Sequence, residues 1–171
     1  MYLTILTTVH VLISLVGIAT GFVVFNGLLQ SKRLEGWTNW FLWTTFLTSA
    51  TGFLFPFEKL LPSHIFGVLS LIVLAVAYEA RYRRGMQGVW RKGYVIPALI
   101  ALYLNTFVLI AQAFLKVPAL KALAPTQQEP PFAIAQLALL VGFLGFGTLA
   151  VKRFRPEIAG GTARRMSATA A

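Results

Sequence analysis

The sequence predicts an all-α fold, a polytopic membrane bundle of five transmembrane helices with the N-terminus outside and the C-terminal end in the cytoplasm. Three observations predict it. The 171 residues are 57% apolar and only 12% charged, with a mean hydropathy of +0.74, far from the composition of a water-soluble domain. The charges are also segregated: Met1–Ser31, Gly36–Phe57, Leu60–Tyr78, Gly93–Leu115 and Pro130–Val151 contain no Asp, Glu, Lys or Arg. Each stretch is close to or above the ~20 helical residues that cross a hydrocarbon core of ~30 Å. Finally, the basic residues fall almost wholly on alternate connections, which sets the orientation.

Taken in order, the first helix covers about Leu3 to Leu29. No Lys or Arg precedes it and it is much longer than a signal core, so it is expected to remain as a span. The second covers about Trp37 to Phe57, with Pro56 and Pro62 bracketing a brief outer turn. The third covers Pro62 to about Arg81, where Glu79 can pair with Arg83 at i,i+4. The fourth covers about Tyr94 to Leu115 and carries Pro97, expected in its first turn, where a missing N–H costs little. The long connection Lys116–Glu129 contains an apolar portion, Val117 to Pro125, expected to lie on the membrane surface or to cap the bundle. Glu129-Pro130-Pro131 opens the fifth helix, which ends at Lys152. Residues 1–152 thus form the membrane domain, and 153–171 a flexible basic cytoplasmic tail.

These runs lack the regular polar face of a soluble amphipathic helix and the two-residue alternation of a membrane barrel. In lipid the backbone must satisfy itself, which a helix does. Twelve of the fifteen basic residues lie on one side: Lys32, Arg33, Arg81, Arg83, Arg84, Arg91, Lys92, Lys152, Arg153, Arg155, Arg164 and Arg165. Lys59, Lys116 and Lys121 lie on the other, so the positive-inside rule places the second and fourth connections outside. The net charge of +10 is expected to meet anionic lipids at the cytoplasmic face, not nucleic acid, because the inner connections are too short for a folded binding surface. Trp37, Trp40, Trp43, Trp90, Tyr82 and Tyr94 form an aromatic belt near the same boundary.

The chain has no cysteine and no aspartate, which excludes disulfides, thiolate chemistry and aspartate-dependent mechanisms. It has no phosphate loop, no Gly-x-Ser-x-Gly elbow and no His-Glu-x-x-His pair, so hydrolase and nucleotide-driven transport chemistry have no support. Small residues mark helix contacts in lipid: Gly17-Ile18-Ala19-Thr20-Gly21 forms a GxxxG element with Ser14 on the same face, expected to pack within the chain.

His10 shares that packing face, and His64 opens the third helix at a similar depth on the outer side. Asn105 and Gln112, seven residues apart, share a face of the fourth helix, while Gln136 lies in the outer turns of the fifth. Together they predict a polar pocket in the outer half, since ionisable and amide groups at such depths are costly. Two imidazoles at matched depth are what one b-type haem requires as axial ligands to its iron, and amides beside a neutral imidazole suit a quinone headgroup. The plain alternative is that each polar group is a hydrogen-bonded packing residue of a non-catalytic accessory or assembly subunit in a larger membrane complex.

Read through His10–Gly21 (HVLISLVGIATG), Phe55–His64 (FPFEKLLPSH) and Phe114–Phe132 (FLKVPALKALAPTQQEPPF), the chain resembles the small multi-spanning inner-membrane proteins of bacteria. That likeness carries no activity with it. In architecture it is similar to b-type cytochrome bundles of the b561 kind, which implies haem-based electron transfer; with two histidines, the carry-over is limited to His10 and His64 and to one haem at most.

Overall fold

The computed structural model describes residues 1–55 and 62–155. The proposed mobile tail beyond residue 155 and the outer turn holding Glu58 and Lys59 lie outside them. Among the described residues the chain is wholly helical: α1 (Tyr2–Leu29), α2 (Glu35–Gly52), α3 (Pro62–Tyr78) with a π-helical turn Glu79–Arg83, α4 (Trp90–Lys116), a short α5 (Pro118–Leu123) and α6 (Pro130–Arg153). Four of them are long and apolar enough to cross a membrane: α1, α3 continued through its π turn, α4 and α6.

The five long helices run up and down. At one end Arg81 meets the backbone of Arg33, Arg91 meets the carbonyls of Val151 and Phe154, and the Arg155 N–H donates to Ser31 Oγ at 2.8 Å. These contacts gather the ends of α1, α3 and α6 and the starts of α2 and α4 at one basic end. At the far end His10 meets Thr51, Phe53 meets His64, and Phe114 packs edge to face on Phe132. Helix α2 therefore runs the length of the bundle between α1 and α3, although Trp, Thr, Ser and Asn make it less apolar than the other four.

Three of its six hydroxyls bond back along the helix, while Thr48 Oγ1 is buried without a hydrogen-bond partner. Thr44 donates to the Trp40 carbonyl, Ser49 to Thr45 and Thr51 to Leu47, and Thr7, Thr8, Ser14 and Thr20 do the same along α1. A hydroxyl bonded four residues back adds no unpaired donor to a nonpolar surrounding.

Helix α4 is central, packing against α1, α2, α3 and α6. The main core lies toward the basic end, where Val24, Leu28, Phe41, Ala77, Tyr94, Ala98, Leu102, Ala150 and Phe154 are buried together. The GxxxG element packs within the chain: a Cβ at Gly17 would meet Thr44 Oγ1 at 3.1 Å, and one at Gly21 would meet Leu102 at 2.5 Å and Phe41 at 2.9 Å. Helix α4 starts at Trp90, earlier than its uncharged run, so Pro97 lies in its interior and not in the first turn. The Gly93 carbonyl thereby loses its helical donor. The apolar connection after α4 folds into α5, whose Leu123 is exposed while Ala124 beyond it is fully buried.

Candidate functional site

Three polar arrangements stand out, and the sequence anticipated parts of only one. At the far end, His10 on α1 is half-buried, with Nδ1 2.9 Å from Thr51 Oγ1 and its ring edge-to-face on Phe55 at 5.3 Å. Thr51 already donates its hydroxyl proton to the Leu47 carbonyl at 2.7 Å. With that proton so placed, the Thr51 oxygen can accept from Nδ1–H, the tautomer that leaves Nε2 with a lone pair. His64, on the first turn of α3, is buried and 5.9 Å from the Phe53 ring. The two imidazoles thus sit at the same end of the bundle, His10 beside Thr51 in the last turn of α2 and His64 beside the C-cap Phe53. Thr51 and Phe53, two residues apart, project about 200° apart around that helix, so they hold the rings on different sides of it.

The amides disperse. Asn105 Nδ2 donates to Thr45 Oγ1 at 3.3 Å, tying α4 to α2, and Gln136 Nε2 donates to the Phe107 carbonyl at 3.2 Å, tying α6 to α4. Gln136 Oε1 is buried without a hydrogen-bond partner. Gln112 is exposed, in the last turns of α4, and does not join a buried pocket as its spacing from Asn105 suggested. Gln127, in the connection between α5 and α6, donates to the Ala111 carbonyl at 2.6 Å and ties that connection to α4. Among the described residues no group of three or more His, Cys, Asp or Glu side chains is placed to hold a metal ion.

Sequence reasoning missed the second arrangement. At the basic end Arg81 has a side chain only 2% exposed, its Nη2 2.5 Å from Glu35 Oε2 and 3.3 Å from the Arg33 carbonyl. Its guanidinium lies 5.0 Å above the Tyr94 ring, a cation–π contact, and Tyr94 is itself fully buried. The Tyr94 hydroxyl is directed toward Thr38 without a hydrogen bond of good geometry. The π-helical turn Glu79–Arg83 turns Arg81 inward while Arg83 and Arg84 stay outside on Glu79, at 3.3 and 3.0 Å. Such turns are rare and tend to occur where a side chain must be re-aimed.

The third is a groove of about 680 Å³ between α4 and α6 with basic residues at one end. In the connection before α6, Glu129 accepts from the Thr126 hydroxyl at 2.8 Å and from the backbone N–H groups of Thr126 and Gln128. Desolvation pushes its carboxyl upward, but these bonds outweigh that and hold it below the usual carboxylate range.

Comparison of the chain with protein-family models, with curated proteins and with solved structures finds no match.

Proposed function

We propose that this chain is a five-span protein of the bacterial inner membrane, N-out and C-in, acting as a non-catalytic accessory subunit that docks on another transmembrane helix through α6. Supporting the fifth span, α2 has 18 residues, ~27 Å of helix, joins opposite ends of the bundle and bonds the hydroxyls of Thr44, Ser49 and Thr51 back to its own carbonyls. Supporting the orientation, the basic residues collect at one end.

The observation that carries the docking role is a contrast among glycines. The notch at Gly17 and Gly21 is filled by α2 and α4, whereas a Cβ at Gly142 or Gly145 would meet nothing within 4 Å. Ala138, Gly142 and Gly145 lie within about 60° of one another on α6, on the side away from Gly147, which packs on Leu99. Close backbone approach is what joins helices in lipid, so an open small-residue notch suits a partner span. Blue-native electrophoresis of membranes in mild detergent tests this. The chain is expected in a complex larger than itself, released to its own size by Gly142→Leu with Gly145→Leu while its helix content is unchanged. Migration at its own size before substitution contradicts the reading.

A second reading, membrane electron transfer with one b-type haem or a quinone, is favoured by His10 Nε2 presenting a lone pair at the same bundle end as His64, and by the buried, unpartnered Gln136 Oε1, an acceptor for a quinol hydroxyl. Bis-imidazole ligation would require both rings to reach one iron past the last turn of α2. Purified protein would then show a Soret band lost in both His10→Ala and His64→Ala. A colourless folded protein removes haem, and chromatography of an organic extract decides quinone.

A further inference from the structure

On the side of α6 turned away from its open notch, contact with α4 is incomplete and leaves the 680 Å³ groove. Its walls are apolar, with Leu99, Ile100 and Tyr103 from α4 facing Phe143 and Gly147 from α6. Tyr103 and Phe143 meet edge to face at 5.6 Å, remote from the basic end. Arg91, Lys92, Lys152 and Arg155 surround the opposite end. Among the described residues no acid lines the groove and none of these four cations is in an ion pair. The carboxylates of Glu35 and Glu79 pair instead with Arg33, Arg81, Arg83 and Arg84.

Lys92 to Tyr103 and Leu140 to Lys152 are runs of about a dozen residues, so the groove is ~17 Å long. That is about the depth of one leaflet of a ~30 Å hydrocarbon core. Arg91 is anchored: its Nη1 donates to the carbonyls of Val151 at 2.7 Å and Phe154 at 2.5 Å, which fixes the guanidinium at the rim and closes the end of α6. Lys152 and Arg155 are exposed beside it.

From this combination we infer that the groove binds one anionic glycerophospholipid, its acyl chain along α4 and α6 and its phosphate among Arg91, Lys92, Lys152 and Arg155. A neutral amphiphile would fill the apolar length but leave four clustered cations without a counter-charge. A free anion would meet the cations but leave the apolar walls uncovered. A phosphodiester on an acyl chain satisfies both, and the fixed Arg91 fork suits phosphate oxygens. The site is independent of the docking notch on the other side of α6.

Native mass spectrometry of the full chain, released from detergent containing equal phosphatidylglycerol and phosphatidylcholine, tests the inference. One phosphatidylglycerol per chain is expected, retained at least ten-fold over phosphatidylcholine. Lys152→Glu should lower that retention ten-fold or more, and so should Arg155→Glu, which lies beyond the last helical turn and leaves every helix intact. Ile100→Trp keeps all charges but fills the groove, and should also release the lipid. Arg83→Glu reverses a charge at the same end but away from the groove, and should leave retention within two-fold. Equal retention of the two lipids overturns the site. Equal loss in Arg83→Glu and Arg155→Glu also overturns it, because the attraction would then be diffuse, as does unchanged retention in Ile100→Trp.

Discussion

Arg81 Nη2 stands 2.5 Å from Glu35 Oε2 and joins the π-helical turn after α3 to the first residue of α2. The pair is unequal: the Arg81 side chain is 2% exposed and that of Glu35 64%. Removing Glu35 strands a buried guanidinium, whereas removing Arg81 leaves a carboxylate that water can solvate. Glu35→Ala is expected to destabilise the bundle by about 1–3 kcal/mol, well short of a fully buried pair because Glu35 is solvated. Arg83→Ala, which breaks an exposed pair with Glu79, should cost less than about 0.5 kcal/mol. Thermal unfolding of both variants in one detergent, followed by circular dichroism, measures the difference; equal midpoints would show that Arg81 does not depend on Glu35.

Gly21 and Gly145 make opposite predictions for the same class of change. A Cβ at Gly21 falls 2.5 Å from Leu102 and 2.9 Å from Phe41, both buried, so Gly21→Val should cost about 1–3 kcal/mol through overpacking. Gly145→Ala meets open space and removes a flexible glycine from a helix, so the isolated chain should gain up to about 1 kcal/mol. The two melting temperatures should shift in opposite directions.

Asn105→Leu removes one α4–α2 hydrogen bond and Gln136→Leu one α6–α4 hydrogen bond. In membranes such bonds contribute on average about 0.6 kcal/mol, so each variant should fold and lose about that much. A loss of several kcal/mol in either, by steric trapping or detergent unfolding, would mean that the amide does more than tie helices.

Glu129 gives the connection before α6 a pH dependence. Its carboxyl titrates below the ordinary 4.5 because the folded connection supplies donors to the charged form, so the contribution is present above 4.5 and disappears as pH falls through the lower folded value. Amide exchange at Thr126 and Gln128, whose N–H groups bond to Glu129, should be slow relative to intrinsic rates at neutral pH and approach them in acid. In Glu129→Gln the protection should be weaker and independent of pH across that range.

The all-helical class and the four long apolar helices were legible because charge-free runs are a property of single segments, and so was the Glu79–Arg83 pair, set by one helical turn. What the sequence hid depends on neighbours. Arg81 counted as one more basic residue of the inner connection; its burial comes from a π turn that no local pattern marks and from a carboxylate 46 residues away. Asn105 and Gln112 do share a stripe of α4, but Asn105 lies against Thr45 whereas Gln112 is exposed in the last turns, so periodicity gave the face and not its cover. The groove was invisible for the same reason, since its walls read as two ordinary apolar spans. That the C-terminal end of α2 engages both His10 and His64, through Thr51 and the C-cap Phe53, follows from packing alone.

The account rests on α2 crossing the bilayer, and the absence of cysteine makes that directly measurable. Single cysteines at Gln30 and Leu54, on either side of α2, can be labelled in intact cells with a membrane-impermeant maleimide. The five-span, N-out arrangement predicts that Leu54→Cys reacts from outside, while Gln30→Cys reacts only after the membrane is permeabilised. Labelling of both from the same side would contradict it.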